Sequence, residues 1–168
     1  MTVFKHLVSD EEVASFWQKK RRYEEEDIFP CLRETGEELT ELLAWFRSDD
    51  YYDTIMDLHT HTSEGNTPVE FVFIERDAQY LGFLTYKIYH AEDGKAFLLD
   101  FSIEESLLSQ GIGTRVFQDF TVFLKEQGAR YVALNASNTR NQKFWLRQGF
   151  SASETDEQGE VIYTLALF

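Results

Sequence analysis

Gly111 and Gly113 stand one residue apart in Ser109-Gln-Gly-Ile-Gly-Thr-Arg115, where an amphipathic helix begins. The order around them reads strand, glycine loop, helix, strand. In that arrangement main-chain N–H groups and a helix N-terminus can hold an anion. Glycine at both positions lets the backbone approach a phosphate with no Cβ in the way. A tight turn ahead of a helix uses glycine equally well, so the pair alone does not decide. No Gly-Lys-Ser/Thr follows, which excludes a Walker loop. Three hairpin-linked strands precede the loop, which argues against a dinucleotide fold with its third glycine and parallel βαβ series.

A second pattern lies one strand later: Asn138-Thr-Arg-Asn-Gln-Lys-Phe-Trp-Leu-Arg-Gln-Gly149-Phe150. Taken together, the two segments resemble the GNAT superfamily of acyl-CoA N-acyltransferases. That family's loop reads Arg/Gln-x-x-Gly-x-Gly/Ala, and its later helix reads Asn-x-x-Ala-x-x-x-Tyr-x-x-x-Gly-Phe. The motifs cover 108–114 and 138–150, and the order of elements extends the likeness over nearly the whole chain.

The resemblance implies an acetyltransferase that takes acetyl-CoA as cosubstrate. Leu108, Ser109, Gln110, Gly111, Ile112, Gly113 and Thr114 would form the pyrophosphate cradle, mostly through main-chain donors. Phe101 and Ile103, near the end of the preceding strand, would pair through their main chain with the pantetheine arm. Asn138 matches the family's helix-opening Asn, which touches the pantetheine. Lys143, Arg140 or Arg147 would meet the adenosine phosphates.

Three departures from the pattern bear on the chemistry. Leu108 stands where Arg or Gln is usual, which removes a side chain but leaves the main-chain cradle. Asn141 replaces a small Ala. Trp145 stands where many members place the tyrosine that protonates departing CoA thiolate. An indole N–H has no usable acidity, so Trp145 can either hydrogen-bond the sulfur or simply pack. A thiol titrates near about 8.5, so the thiolate can leave without an acid.

The acceptor amine titrates near about 10.4 and must lose a proton before attack. The family's early-strand carboxylate position corresponds to Phe97, so that base is missing. By alternation Asp100, Ser102 and Glu104 share one side of their strand, and Phe97, Leu99, Phe101 and Ile103 the other. Asp100 is the expected substitute base, because a carboxylate amid apolar residues needs a partner or a purpose. Glu104 is a second candidate or a solvated strand end. A water chain would leave no trace in the sequence.

The elements that must position these residues are readable. Residues 2–8 form a strand, and Ser9 with Glu12 makes a capping box, with a staple between Val8 and Val13. Val13, Phe16 and Trp17 give that helix a buried side. Thr35 with Glu38 opens a second helix with the stripe Leu39, Leu42, Leu43 and Phe46, and Ser48 caps a further turn or two through Ile55 and Met56. After a loop at 62–68, strands run over 70–75, 80–89 and 96–103 as an antiparallel meander. The glycine helix buries Val116, Phe117, Phe120, Phe123 and Leu124 and ends at Gly128. A strand at 131–134, a helix from Asn138 to Gln148 closed by Gly149, and a strand at 161–168 complete the chain. The expected fold is α+β: one domain over 1–168, with a mixed, mostly antiparallel central sheet and helices on both faces.

Composition bounds the partners. The chain has 168 residues, 43% hydrophobic, with a net charge of −14. That charge argues against nucleic acid. Residues 111–150 carry six basic and two acidic side chains, hence +4, which leaves −18 elsewhere. An anionic cofactor suits the first region and a cationic ligand the second. Tyr51, Tyr52, Asp49, Asp50 and the acids of 24–27 fall in the N-terminal helices, which in the family line the acceptor side. The acceptor is therefore expected to be a small-molecule or peptide amine, with a cationic amine weighed against acidity that serves solubility alone.

Other signals are weaker. Lys19-Lys20-Arg21-Arg22 followed by four acids reads as a self-paired helix face. His59 and His61 lack a third ligand at recognisable spacing, so no metal is expected. Cys31 stands alone and is read as structural. No apolar run reaches the ~20 residues of a membrane span, and no leader pattern is present, so the cytoplasm is the expected location. A homodimer stays open, since no strand or patch in the sequence decides it. A non-catalytic acyl-CoA-binding sensor and a scaffold that binds no CoA are the rival readings.

Overall fold

The structure, a computed structural model, describes residues 2–23, 44, 48–60, 66–107, 110–136, 139–157 and 159–167, with the backbone only at 23, 105 and 139–141. Expectations for Thr35, Glu38, Leu39, Leu42, Leu43, Phe46, Cys31, His61, Leu108, Ser109 and Asn138 fall outside the described residues, as do those for the acids of 24–27.

Strand β1 (Thr2–Leu7) leads into helix α1 (Asp10–Tyr23), and the capping box forms as its residue types dictate. Glu12 N donates to Ser9 Oγ at 3.2 Å, and Ser9 N donates back to Glu12 Oε1 at 3.2 Å. Val8 is 77% exposed while Val13 is buried, so the expected staple does not close. Helix α2 (Asp49–Thr60) is capped at Ser48, whose Oγ accepts from Tyr51 N at 3.1 Å, and it runs a turn further than expected. His59 ends it, with Nδ1 2.6 Å from Val69 O and its ring 4.7 Å from Phe71. Among the described residues, which do not include His61, no group of three or more His, Cys, Asp or Glu side chains is placed to hold a metal ion.

Strands β2 (Glu70–Arg76), β3 (Gln79–Tyr89) and β4 (Lys95–Ile103) form the expected antiparallel meander. Asp77 and Ala78 join the first two with φ of 50° and 64°, the mirror-image turn that suits a tight hairpin. Helix α3 (Ile112–Glu126), strand β5 (Tyr131–Asn135), helix α4 (Thr139–Arg147) and strands β6 (Ser151–Thr155) and β7 (Val161–Ala166) follow. Strand β6 was not expected. It is an edge strand exposed along its length, and Ser-Ala-Ser-Glu-Thr has no apolar alternation to betray it.

The seven strands make one sheet in the order β1-β2-β3-β4-β5-β7-β6. Only β4 and β5 pair in parallel. Helices cover both faces. On one, Val116, Phe117, Phe120 and Leu124 of α3 and Trp145 of α4 pack against Leu84, Tyr86, Leu98 and Val132. On the other, Val13, Phe16 and Trp17 of α1 and Ile55 of α2 pack against Phe71 and Phe83. Each fully buried large apolar side chain contributes about 1.5–3 kcal/mol. No helix of the described residues is long and apolar enough to cross a membrane.

The strict alternation expected along β4 fails. Tyr86 pairs with Leu98 and Thr85 with Asp100, so Leu99 is an extra residue, a β-bulge. Ala96, Leu98, Phe101 and Ile103 therefore belong to the α3–α4 core, whereas Leu99 packs into the α1–α2 core. The bulge resets the phase, so Leu99 parts company with Phe101 and Ile103.

At the start of the parallel pair, Tyr131 donates a hydrogen bond to Asp93. Partial burial, then that bond and the carboxylate's charge, push the Tyr131 phenol up to about 12. An unfolded tyrosine titrates near about 10, so this raised value favours folding fully below pH ~10, and the contribution is lost as pH climbs to about 12. Tyr131→Phe is expected to flatten that part of the stability–pH curve, measured by denaturant unfolding at stepped pH. An unchanged curve would contradict the assignment.

Candidate active site

Gly111 caps α3 at φ 74° and ψ 6°, a left-handed conformation, with no side-chain hydrogen bond to the helix N-terminus. The leading N–H groups of a helix have no partner within it, so the first turn presents unsatisfied donors and the positive end of the helix dipole. Its first turn carries no acidic side chain. Among the described residues, a Cβ built on Gly111 would meet nothing within 4 Å, so a side chain there has room. Glycine is needed here for its backbone conformation.

Gly113 lies inside the first turn of α3. A Cβ there would lie 3.4 Å from Phe144 Cε2 and 3.8 Å from Ile103 Cγ1, which are ordinary contact distances. Helix packing therefore leaves room for a methyl at this position. Gln148 Nε2 donates to Thr114 Oγ1 at 3.1 Å and ties the end of α4 to the start of α3. Gln110 donates its side-chain amide to Ser106 O at 3.2 Å and folds the loop. Of the basic side chains considered for phosphates, Lys143 and Arg147 are exposed on α4.

The central strands part beside this helix end. β4 and β5 pair only from Lys95–Tyr131 to Phe97–Ala133. Beyond that point β5 stays with β7 as far as Asn135, and β4 stays with β3 to Ile103. From Leu98 to Ile103, β4 thus has main chain on its β5 side with no strand against it. Phe101 and Ile103, the expected main-chain partners of the pantetheine, both lie on this stretch. On the α3–α4 side the gap is floored by aromatic rings. Trp145 is 6% exposed, with ring centroids of Phe101, Phe117, Phe144 and Phe150 at 5.4, 5.1, 4.8 and 5.3 Å. Four rings therefore enclose the indole.

The acidic candidates face α1. Asp100 Oδ1 accepts from Lys20 Nζ at 2.7 Å, with Lys20 only 3% exposed. Glu104 pairs with Arg22 at 3.1 Å. Two cations of the basic run of α1 thus reach across to β4, while the pairing expected with the acids of 24–27 lies outside the described residues. Lys19 lies over the Tyr80 ring at 4.0 Å. Burial, with Glu104 nearby, pushes the Tyr80 phenol above its usual range, and its hydroxyl is buried without a partner. Thr85, opposite Asp100, also has a buried hydroxyl with no partner among the described residues. Lys20 and Arg22 are the site residues that sequence reasoning missed, since nothing in an α1 pattern says which distant strand it will cross.

Comparison with known proteins follows the same outline. The acetyltransferase (GNAT) family model matches residues 12–150. The comparison with curated proteins gave no match. Among solved structures, a GNAT-family protein from Desulfovibrio desulfuricans superposes with a TM-score of 0.64 at 18% identity, covering all of both chains. PaiA N-acetyltransferase from Thermoplasma acidophilum, in complex with coenzyme A, gives 0.62 at 16%, covering 99% of each. Tetrahymena GCN5 gives 0.64 at 14%, covering 99% of this chain and 96% of its own. At these identities the structures establish the fold.

Proposed function

We propose that this chain, which belongs to the acetyltransferase (GNAT) family, moves acetyl from acetyl-CoA to a primary amine of a small molecule or peptide by direct attack. Carrying this reading is the juxtaposition of an uncapped, glycine-led helix N-terminus with a gap that opens after three pairs of a parallel ladder. The room at Gly111 fits a pyrophosphate held by main-chain N–H groups of 110–114. The unpaired main chain of β4 fits the amide-bearing pantetheine arm, and Asn138 and Lys143 are assigned to the same cosubstrate.

Acetyl-CoA supplies the activated thioester. The chain's part is to orient it, meet developing charge and manage protons. Main-chain N–H groups at the bulged, unpaired part of β4 would meet the negative charge growing on the thioester oxygen. Asp100 is proposed to collect the amine proton, directly or through water. Lys20 holds Oδ1, which leaves Oδ2 for that task. Glu104, engaged by Arg22, is assigned the weaker role of keeping the strand end acidic.

Trp145 is proposed to shape the floor and to move no proton. Trp145→Phe is then expected to lower kcat less than tenfold in a thiol-release assay. A general acid contributes about 10²–10⁴-fold, so a drop of that size would give the indole N–H a direct role. The buried, ring-enclosed Trp145 is also the observation that favours the rival reading, a non-catalytic acyl-CoA sensor. Thiol release from acetyl-CoA across a panel of primary amines separates the two. Amine-dependent release supports the transferase, and binding without release supports the sensor.

A further inference from the structure

Thr85 lies near the middle of β3 and is 1% exposed, and its hydroxyl has no hydrogen-bond partner among the described residues. A buried hydroxyl left unpaired destabilises the fold, so it calls for a reason. Leu84, Tyr86 and Ile88 belong to the core under α3 and α4, and Phe83 to the core under α1 and α2. Alternation therefore turns Thr85 toward α1. Directly opposite on β4 stands Asp100, which faces the same way, as its bond to Lys20 of α1 shows. Asp100 also lies on the stretch of β4 beyond the Phe97–Ala133 pair, along the gap.

Opposed residues on one face of an antiparallel pair have Cβ atoms about 4.5–5.5 Å apart, a span that one water can bridge between two oxygens. The extra residue at Leu99 loosens the ladder at this point. The charged and titratable groups around the pair are otherwise engaged. Lys20 holds Asp100 Oδ1 at 2.7 Å, and the Tyr51 ring of α2 is 5.5 Å from the same ammonium. Lys87, two residues along β3, donates to Thr67 O at 3.0 Å. Glu104, four residues along β4, is paired with Arg22.

We propose that Thr85 is a positioning residue for amine deprotonation: its hydroxyl and Asp100 Oδ2 hold the water through which the acceptor's proton leaves. Thr85 Oγ1, Asp100 Oδ2 and the incoming amine give that water three polar partners, about the number a buried water takes. The amine hands a proton to the water, and the water hands one of its own to Oδ2. The nitrogen lone pair then attacks the thioester carbonyl, the C–S bond breaks, and CoA leaves as thiolate. The proposal rests on the acetyl-transfer reading above and deepens its account of Asp100.

Thr85→Val keeps the side chain's shape and removes only the hydroxyl. The test measures thiol release with ethylamine and with trifluoroethylamine, which is largely unprotonated at neutral pH, while calorimetry follows acetyl-CoA binding. Thr85→Val is expected to lower kcat/KM for ethylamine by about ten- to a hundredfold, within the range a positioned acid–base group contributes, and for trifluoroethylamine by less than about threefold. The ethylamine loss should shrink as pH rises toward about 10.4, where the amine gives up its own proton. Thr85→Ser should restore most of the rate, and Thr85→Val should add little to Asp100→Asn, because both act on one step. A purely structural Thr85 would change Tm and treat the two amines alike. Equal losses for both amines, an unchanged rate in Thr85→Val, no rescue by serine, or acetyl-CoA binding with neither amine turned over would each overturn the inference. Failure of acetyl-CoA to bind would overturn the acetyl-transfer reading itself, and the inference with it.

Discussion

Gly111→Asp is expected to weaken acetyl-CoA binding about a hundredfold or more, equivalent to roughly 3 kcal/mol. Two effects add. The side chain must adopt the left-handed conformation at φ 74°, a region that costs an L-residue roughly 1–2 kcal/mol, less for Asp. Its carboxylate would also sit at the helix end and compete with a phosphate for the same N–H donors. A negative charge at a helix N-terminus is otherwise tolerated, so the variant should fold. Calorimetric titration beside a melting curve separates the two effects. Gly113→Ala is the companion: its methyl would meet Phe144 at an ordinary contact distance, so this variant should keep its stability. Undiminished binding in Gly111→Asp would remove the cradle from the account.

Lys20→Met is expected to destabilise the protein by about 3–5 kcal/mol, because the largely buried Asp100 carboxyl would lose its partner. For a chain of this length that is a drop in Tm of roughly 10 °C. The paired change Lys20→Met with Asp100→Asn should recover much of the loss, since neither charge then remains. Chemical denaturation of the single and double variants measures both. A single-variant cost under about 1 kcal/mol would show that the pair behaves like an exposed one. The same cycle read by thiol release asks about function: with Asp100→Asn, a carboxylate that collects the amine's proton is gone, whatever the fold retains.

What the sequence made legible were features decided over a few residues. Ser9 with Glu12, and Ser48 ahead of α2, are local hydrogen-bonding choices. The meander followed from apolar runs broken by turns, and the two glycine-bearing motifs pointed to the family. Features set by contacts distant in the chain were hidden. The extra residue at Leu99 has no mark in Lys-Ala-Phe-Leu-Leu-Asp-Phe, yet it decides which side chains face α1. Lys20 and Asp100 are 80 positions apart, and only the crossing of α1 over β4 brings them together. Likewise β6 has Ala152 as its one apolar residue and exists because β7 offers it an edge, so Glu154 could not be placed beside Phe97 from sequence. The two glycines look alike in the sequence, and only the fold shows that Gly111 alone takes a left-handed conformation while Gly113 lies within the helix.

The central claim is that the Gly111 helix end and the gap beyond Phe97 together hold acetyl-CoA. Calorimetric titration of acetyl-CoA into the full-length protein tests it most directly. The account predicts one site with Kd of about micromolar order, lost in Gly111→Asp. An absence of binding to the wild-type chain at millimolar cosubstrate would contradict it.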